Sequence, residues 1–553
     1  MHDIILAFWG KRHEIDAQAE NLTEHLIQSN SFGSQKANET ENVFSEESLG
    51  MCFQNIMKPA DKEWGGFGKA PKFPQTYIIQ FLLRYYYSSK NEQALEQAVL
   101  SLDKMIEGGI YDQAGGGFAR YSTDTEWLVP HFEKMLYDNA LLVSVLSEAY
   151  QLTGKERYKE VIDETMQFVQ KELLHPQKAF YAALDADSEG EEGKFYVWTY
   201  EEVKNILEDD SEIFCEYYDI SPGGNWSEGT PSEEGKNILR VKEPLERFYL
   251  KKNITVDELN GLLKRGKKKL LEQRNKRIRP SLDDKIILGW NALMNTACSK
   301  AFAATGYIPY RELAIENMKF ILQNFTMGNA NEFHHTWKNG IAKYPAFLDD
   351  YAFLIEALIH LQEITADRQW LAKAKSITHF VIENFNEQES GFFFYTKSGQ
   401  PDVIIRKKEV YDGAVPSGNS VMAYNLYHLS IFFDNKEWNQ KSLTVLSLLA
   451  KAIVQYPSSF ANWACLLQEI VGGTSEIALL GDNYESLHID LLKQYIPHRI
   501  LMASATPDPD FSLLVDKPIT KPASIWLCRN FTCKPPVTTV RELISLINNP
   551  NHS

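Results

Sequence analysis

The sequence predicts an all-α fold, an (α/α)6 six-hairpin barrel followed by a small C-terminal α/β appendage. Three observations predict this fold class. Pairs of helical segments recur at intervals of roughly 60–70 residues from Trp64 onward, as in repeat-built domains. The first helix of each pair is more apolar than the second. The stretches of unusual composition all lie just ahead of a first helix.

Five pairs of segments carry apolar residues at helical spacing. Two shorter segments, Glu201–Leu207 and Val256–Asn275, each begin with a capping-box pattern and together would supply a sixth pair. The five pairs are Pro74–Tyr87 with Glu92–Glu107, Met135–Leu152 with Lys155–Leu174, Ile286–Ala304 with Tyr310–Phe325, Asp349–Thr365 with Asp367–Phe385, and Ser417–Phe433 with Glu437–Tyr456.

The contrast within a pair predicts which helix lies inside. The segment DDYAFLIEALIHL at 349–361 is apolar nearly all round, whereas DRQWLAKAKSITHFVIENF at 367–385 has a polar stripe. Because a helix without a polar stripe is buried, we expect the first helices to form an inner ring and the second helices an outer ring. An open α-solenoid fits the same repeat. The long, chemically unusual loops favour the closed barrel.

The pattern divides the chain into three regions. Residues 1–33 contain a lone helix over residues 4–28, which the barrel does not require, and residues 29–48 are polar enough for a linker. The barrel is expected over residues 34–470. Residues 471–553 change to strand–helix–strand alternation and end in a helix at Val540–Ile547, so they are expected to form the α/β appendage.

Composition excludes several classes of function. The net charge of −17 argues against nucleic-acid binding, which needs a basic surface. The six cysteines form no framework, and Cys528 and Cys533, in a C-x4-C spacing, are expected to be ordinary thiols in a reducing compartment. With no signal peptide and no apolar run of about 18 residues, we expect no membrane span and a cytoplasmic location. The sequence predicts no metal site and no cofactor.

Five unusual stretches lie at the same phase of the repeat. Inner helices of a ring run parallel, so these stretches are expected to meet at one mouth of the barrel, beside the unpaired N–H groups of the inner-helix N-termini. The stretches are GGFGKAPKFP (65–74), the long connection 108–139, LDDKIILGWN (282–291), FLDDYAF (347–353) and YDGAVPSGNS (411–420).

The connection 108–139 is rich in glycine, acids and aromatic residues, which predicts an ordered loop that lines a cavity. Asp112, Tyr121, Trp127 and His131 are expected to reach this cavity. The wider set of candidates gathers the acids, aromatics and amides of all five stretches. The candidate catalytic residues are His131, Asp112, Glu133, Asp349 and Asp350, and the candidate substrate-binding residues are Tyr121, Trp127, Asp283, Asp284, Trp290, Asn291, Tyr351, Asp412 and Asn419.

Carboxylates beside Trp and Tyr suit a carbohydrate, because acids accept hydrogen bonds from hydroxyl groups and aromatic faces pack on sugar rings. His131 would move a proton next to a carbonyl, as an epimerase or isomerase requires. Alternatively, two carboxylates would act on a glycosidic bond. Each single acid is also explained as a helix cap, and that alternative stays open.

Several motifs together resemble one family. The motifs occur in the following order along the chain: GGFGKAPKFP, YDQAGGGFARYSTDTEWLVPHFEKMLYDN, LDADSEGEEGKFYVW, DDKIILGWNALM, LDDYAFLI, DGAVPSGNS and the tail CRNFTCKPP. From about residue 50 onward the chain resembles the thioredoxin-domain-containing family of spermatogenesis-associated protein 20 and its bacterial relatives, whose activity is not established. The resemblance implies an N-terminal thioredoxin-like domain and a barrel similar to the N-acylglucosamine 2-epimerase and six-hairpin glycosidase-like proteins.

The sequence departs from that family at two places. The thioredoxin-like domain and its CxxC dithiol are not found in residues 1–553, and residues 1–28 resemble the helix that follows this domain, so the resemblance does not carry a redox function over to these residues. The loop Gly223–Leu239 is longer than in the family. The sequence therefore predicts a carbohydrate-active barrel with a sugar-like ligand, no nucleic acid and no membrane. The alternative is a non-catalytic binding or scaffold protein.

Overall fold

The computed structural model describes residues 10–14, 16–18, 44–226, 235–401 and 403–548. The predicted helix over residues 4–28 lies mostly outside the described residues, as does part of the loop Gly223–Leu239. The polar segment 29–48 ends within the described part, where Ser45 caps a helix that the sequence did not predict.

The helices are α1 (Glu46–Met57), α2 (Thr76–Ser89), α3 (Glu92–Glu107), α4 (Leu136–Thr153), α5 (Glu156–Phe168), α6 (Tyr200–Leu207), α7 (Ser211–Tyr217), α8 (Leu245–Lys252), α9 (Val256–Arg274), α10 (Leu288–Thr305), α11 (Ile308–Asn324), α12 (Leu348–Thr365), α13 (Gln369–Phe385), α14 (Gly418–Phe432), α15 (Lys436–Gln455), α16 (Ala461–Gly472), α17 (Glu485–Leu492) and α18 (Val540–Asn548). The strands are β1 (Tyr121–Ser122), β2 (Pro130–His131), β3 (Lys134–Met135), β4 (Ala183–Leu184), β5 (Asp187–Ser188), β6 (Glu191–Glu192), β7 (Trp198–Thr199), β8 (Lys236–Asn237), β9 (Leu282–Asp283), β10 (Ile286–Ile287), β11 (Thr326–Met327), β12 (Asn329–Lys338), β13 (Ile341–Pro345), β14 (Ser475–Leu480), β15 (Arg499–Ser504), β16 (Ser524–Arg529) and β17 (Thr532–Cys533).

Helices α2, α4, α10, α12, α14 and α16 contact one another in this order, and α16 returns to α2. These contacts close a ring, so the helices form a barrel and not an open superhelix. The second helices α3, α5, α11, α13 and α15 each pack outside the first helix of their pair, and α1 packs on α15 and α16. Burial follows the predicted contrast, since 15 of 18 residues of α10 are buried against 7 of 17 in α11.

The predicted sixth pair is wrong. Helices α6 and α9, which cover its two segments, pack on each other and on α7 and α8 in an insertion between the second and third pairs. This insertion has its own apolar core around Trp198, Phe214 and Leu259. The ring is instead completed by α16, a strongly apolar helix beyond the point where the sequence repeat fades.

The C-terminal region forms a mixed sheet in the strand order β15-β14-β16-β17, with β14 and β15 parallel and the other pairs antiparallel. This lobe covers the C-terminal ends of the inner helices. The amide nitrogen Nε2 of Gln151 donates to the carbonyl of Leu492 at 2.8 Å, and Arg499 Nε donates to Glu363 Oε1 at 2.6 Å. One end of the barrel is therefore closed by the lobe.

Two further expectations concern cysteines and membranes. Cys528 and Cys533 are directly paired residues of β16 and β17 and are joined by a disulfide, so the prediction of two free thiols is wrong. The other four cysteines are buried and free. Within the described ranges, no helix combines the length and apolar character needed to cross a bilayer.

Candidate functional site

The interior of the helical ring contains a cavity of about 120 Å³. All six inner helices contribute to its wall. On one side it reaches Tyr77 and Asn462 in the first turns of α2 and α16, and on the other it reaches Tyr495, Pro497 and Arg499 of the C-terminal lobe. The volume is enough for on the order of ten water molecules, so a ligand of monosaccharide size fits it.

Polar side chains form the deeper part of this luminal cavity, although the helices that carry them are mostly apolar. Glu148 of α4 is the central acceptor of one cluster. Its Oε1 accepts hydrogen bonds from Gln80 Nε2 at 2.6 Å, Arg84 Nη2 at 3.0 Å and Lys300 Nζ at 3.1 Å. The two cations hold the pKa of Glu148 well below its usual range despite burial. This carboxylate is therefore ionised and its position is fixed.

A second cluster surrounds Glu469, which is fully buried at the end of α16. Tyr424 Oη donates to Glu469 Oε2 at 2.8 Å, and His428 Nε2 lies 3.0 Å from Oε1. Burial acts to raise the pKa of Glu469, but the neighbouring His428 and His498 outweigh it and hold this pKa well below its usual range. Arg84 Nη1 donates to Tyr424 Oη at 2.8 Å and so joins the two clusters.

Helix α12 adds three titratable residues to the luminal wall, Glu356, His360 and Glu363. Glu363 is held by Arg499, and His360 Nδ1 lies 3.4 Å from Glu363 Oε2. Glu356 has no hydrogen bond or ion pair to another residue in the described part of the chain. Burial and the charge of Glu356 raise the pKa of the facing phenol of Tyr77 well above its ordinary value.

The luminal side chains fall into two sets, those already held by hydrogen bonds or ion pairs and those without such partners. Glu148, Glu363 and Glu469 are engaged by cations or histidines, whereas Glu356 and Tyr77 remain open to a ligand next to the imidazole of His360. A carboxylate, an imidazole and hydroxyl groups around one small cavity are the groups that bind hydroxylated ligands and transfer protons.

None of the fourteen candidate residues from the sequence lines the luminal cavity, although all fourteen lie in the described part of the chain. The mouth acids instead join neighbouring helices. Asp350 of α12 accepts hydrogen bonds from Gly289 N at 2.8 Å, from Phe347 N at 2.9 Å and from His335 Nδ1 at 2.7 Å. Asp350 thus caps its own helix and binds the N-terminus of α10.

Asp349 and Asp412 continue this arrangement around the ring. Asp349 Oδ1 accepts from Gly418 N at 2.8 Å, at the start of α14. Asp412 accepts from Ser417 N at 3.0 Å and from Asn462 N at 2.9 Å, so it joins α14 to α16. A Cβ at residue 418 would lie 2.4 Å from Asp349 Oδ1, which explains the glycine there.

Burial raises the pKa of Asp349 to about 7, and the adjacent Asp350 carboxylate adds to the rise. Burial likewise raises the pKa of Asp412 to about 6. Asp412 is linked to the lumen, because its partner Asn462 lines the cavity and its charge helps to raise the pKa of Tyr77.

The amide candidates share one structural role. Asn291 Oδ1 accepts from Phe180 N at 2.8 Å, and its Nδ2 donates to the Phe180 and Ile287 carbonyls at 2.9 and 3.0 Å. Asn419 binds Phe393 of its own loop in the same way. Tyr351 is buried, and its hydroxyl accepts from Phe333 N at 3.1 Å. Each of these side chains fixes the loop that precedes an inner helix.

The structure describes the whole 108–139 loop. The four residues of this loop that were expected to reach one cavity lie in different places. Asp112 and Trp127 do not line the luminal cavity, and their part in a ligand site at the mouth stays a prediction. Asp112 is buried between Lys134 and Arg274, both at 2.8 Å, and these cations hold its pKa far below the usual range. Trp127 is fully buried inside the loop, where its Nε1 donates to Trp64 O at 2.9 Å.

His131, Tyr121 and Glu133 do lie together. The Tyr121 and His131 rings stack with centroids 5.1 Å apart, His131 Nδ1 lies 2.8 Å from Glu192 Oε1, and Glu133 Oε2 lies 3.7 Å from His131 Nε2. This half-exposed group is at the rim of the barrel. Whether it contacts a ligand stays a prediction.

The remaining candidates lie in the loop before α10 and in the first turn of that helix. Asp283 pairs with Lys285 at 3.1 Å, Asp284 pairs with Lys338, and both carboxylates are about two-fifths exposed. Trp290 makes an edge contact with Tyr137, with ring centroids 4.9 Å apart. These residues face the mouth and not the lumen.

The sequence contained a signal for the luminal residues. Polar residues interrupt the apolar inner helices one turn apart, as Tyr77, Gln80 and Arg84 do on α2 and Glu356, His360 and Glu363 do on α12. On a helix expected to be apolar nearly all round, such a stripe marks the face toward a polar cavity.

No protein-family model matches the chain. The chain is 32% identical to human spermatogenesis-associated protein 20 over 546 residues, which cover 90% of this chain and 69% of that protein. It is 31% identical to the mouse protein of the same name, again over 90% of this chain and over 68% of that protein. The chain therefore belongs to the spermatogenesis-associated protein 20 family.

Among solved structures, the barrel is similar to a D-mannose isomerase, with a TM-score of 0.50 at 11% identity, covering 75% of this chain and 88% of that one. A GH76 α-mannanase from Bacteroides thetaiotaomicron is a more distant likeness, with a TM-score of 0.45 at 12% identity over 77% of this chain and 94% of that one. At such identities the similarity concerns the fold alone. The likeness to the D-mannose isomerase supports a closed ring of helical hairpins and nothing about activity.

Proposed function

We propose that this protein binds a small hydroxylated ligand of sugar type inside the barrel and acts on it by proton transfer, as a sugar epimerase or isomerase does. The observation that carries the proposal is the luminal cavity, in which the free carboxylate of Glu356 lies on the same wall as His360 and faces Tyr77. We also propose that the barrel is a complete (α/α)6 barrel whose sixth hairpin pairs α16 with α1.

The chemistry follows from the state of each group. Glu356 would accept hydrogen bonds from ligand hydroxyl groups, and His360, with its Nδ1 toward Glu363, would keep Nε2 for the ligand. An imidazole in this position would act as the general base or acid that moves a proton at the carbon next to a carbonyl. The fixed charges of Arg84 and Lys300 would stabilise negative charge on an enediol-like oxygen.

A second candidate is binding without turnover. The observation that favours it is the engagement of the mouth acids Asp349, Asp350 and Asp412 in helix capping, which removes the acid–base pairs that the sequence predicted there. Ligand binding in the lumen is common to both candidates. They differ in whether the bound ligand exchanges a proton.

Glu356→Gln tests the shared part of the proposal. A thermal-shift screen with aldoses, ketoses and disaccharides is expected to give a ligand that raises the melting temperature of the parent protein, because a ligand bound only by the folded state stabilises it. The variant loses a charge-assisted acceptor, so we expect the dissociation constant by calorimetry to rise by about tenfold or more. The matched control is Glu316→Gln, whose side chain is about half exposed on the outer helix α11.

Equal affinity in Glu356→Gln and in the parent protein would contradict a luminal site. Proton nuclear magnetic resonance in deuterium oxide then separates the two candidates. Loss of the signal from the hydrogen on the carbon next to the carbonyl supports proton transfer, whereas a bound sugar that keeps this hydrogen supports binding alone.

A further inference from the structure

A second cavity of about 100 Å³ lies outside the helical ring, between α5 and the insertion helix α9. We call it the Arg274 pocket and define it by Lys134, Lys171, Glu172, Tyr196, Arg274 and Arg279, with Asp112 at its inner end. It does not include any residue of the luminal wall. The loop 108–139, which is the most unusual stretch of the sequence, contributes Asp112 and Lys134 to this pocket.

The Arg274 pocket is basic in an acidic protein. Its four cations face two carboxylates, Asp112 and Glu172, which leaves an excess of two positive charges in a chain of net charge −17. Lys134 and Arg274 are buried, at 3% and 5% exposure. Lys171 and Arg279 are nearly half exposed and form the rim beside Glu172. An anion would therefore enter past two accessible cations toward two buried ones.

Two hydrogen-bond donors in the pocket have no acceptor. Both terminal nitrogens of Arg274 bind Asp112, at 2.9 and 2.8 Å, whereas its Nε is buried and has no acceptor among the described residues. The hydroxyl of Tyr196 is also buried without a partner in the described part of the chain. An unsatisfied buried donor is unfavourable, and such groups are usually paired with protein, water or a ligand.

The loop is built to keep Arg274 in this position. A Cβ at residue 115 would lie 1.9 Å from Arg274 Nη2, so only glycine leaves room for the guanidinium. Lys134 Nζ donates to Asp112 and to the Gly116 carbonyl, at 2.8 and 3.0 Å. The ammonium also lies 4.9 Å from the centre of the Tyr196 ring. The inner end of the pocket is therefore fixed before any ligand arrives.

We propose that the Arg274 pocket binds a phosphate group, either free or on a small metabolite. A phosphate has several acceptor oxygens and nearly two negative charges near neutral pH, which match two free donors and an excess of two positive charges. Arg274 Nε and the Tyr196 hydroxyl would donate to it from inside, and Lys171 and Arg279 would contact it at the rim. The pocket joins the barrel to the insertion, so a bound phosphate would also connect these two parts.

Calorimetric titration with inorganic phosphate at constant ionic strength tests the proposal on the full chain. We expect saturable binding to one site, weakened about tenfold or more in Tyr196→Phe and again in Arg279→Gln, because each variant removes one donor. The matched controls are Tyr150→Phe and Arg265→Gln, which change a tyrosine and an arginine outside the pocket and should bind phosphate like the parent protein. Arg279 is exposed enough for its variant to fold even where Tyr196→Phe does not.

Titration with a sugar phosphate distinguishes the two sources of the group, because a metabolite site binds it more tightly than inorganic phosphate, whereas a site for the free ion does not. Sulfate and malonate serve as anion controls. The proposal would be overturned if phosphate showed no saturable binding or if malonate bound more tightly than phosphate. It would also be overturned if both pocket variants bound phosphate with the same affinity as the parent protein.

Discussion

At the scale of single residues, the same side-chain type serves two different purposes in this protein. Asp349 and Asp412 hold helix N-termini together at the mouth, whereas Glu356, seven residues after Asp349 on the same helix, lies free in the lumen. Acids and amides at a helix start are explained equally well by capping and by catalysis from sequence alone. The structure separates the two, because it shows which N–H groups donate hydrogen bonds to each carboxylate.

Asp349→Asn should make stability less dependent on pH. The pKa of Asp349 is raised to about 7 in the folded protein from an ordinary value of 3.8, so the folded state holds its proton more tightly than the unfolded state. The stabilisation from this group is complete below about pH 4 and is lost as the pH rises through 7. Asparagine keeps the acceptor for Gly418 N but cannot ionise.

We therefore expect the variant to match the parent protein at pH 4 and to exceed its free energy of unfolding at pH 8 by on the order of 1–3 kcal/mol. Urea unfolding followed by circular dichroism across this range measures the difference. Asp490→Asn, at an exposed site on α17, controls for the loss of a surface charge. A difference between variant and parent that does not change with pH would contradict the assignment of the raised pKa to Asp349.

At the scale of elements, the inner helices and their order were predictable from periodicity, because burial on all sides removes the polar stripe that other helices keep. The five predicted pairs occur as α2 to α5 and α10 to α15. Helix α16 is not evident from the repeat because a strand follows it in the sequence where the other inner helices are followed by a second helix. Helices α6 and α9 were misplaced, since a capping box marks a helix start but carries no information about its packing partner.

The loops before the inner helices are fixed by a repeated amide contact, and Asn291→Ala should destabilise the protein strongly. The substitution leaves the Phe180 N–H, the Phe180 carbonyl and the Ile287 carbonyl without their side-chain partner in a buried position. Orphaned buried groups of this kind cost about 2–4 kcal/mol in total. Chemical unfolding of the variant measures this loss.

Asn324→Ala is the matched control, since Asn324 makes one half-buried hydrogen bond to its own helix and should cost less than about 1 kcal/mol. If the two variants lose the same stability, the Asn291 contact does not fix the loop.

At the scale of the whole molecule, the luminal site exists only because the ring closes. The luminal wall draws residues from helices spread over nearly three hundred residues of sequence, among them Tyr77, Glu148, Lys300 and Glu356. A repeat pattern predicts that the helices are neighbours but does not give the side chains that face inward at one height. The C-terminal lobe adds Tyr495 and Arg499 to the floor, which no pattern in that region indicated.

Arg499→Gln tests whether the lobe and the barrel form one folding unit. Glu363 is only 15% exposed, and its pKa is held below its usual range chiefly by Arg499, so the variant leaves a largely buried carboxylate without its strongest partner. We expect a loss of about 3–5 kcal/mol at pH 7. The double variant Arg499→Gln/Glu363→Gln should recover part of this loss, because it removes the unpaired charge as well. If the loss of stability in the double variant equalled the sum of the losses in the two single variants, the two side chains would not interact.

The most direct test of the luminal site is a crystal structure of the protein with the tightest ligand from the sugar screen. We predict that the ligand lies inside the helical ring, with a hydroxyl within hydrogen-bond distance of Glu356 and its ring near His360 and Tyr77. The luminal site would be contradicted if the ligand bound at the mouth, on the stacked Tyr121 and His131, while the lumen held water alone. The mouth loops would then be the ligand site.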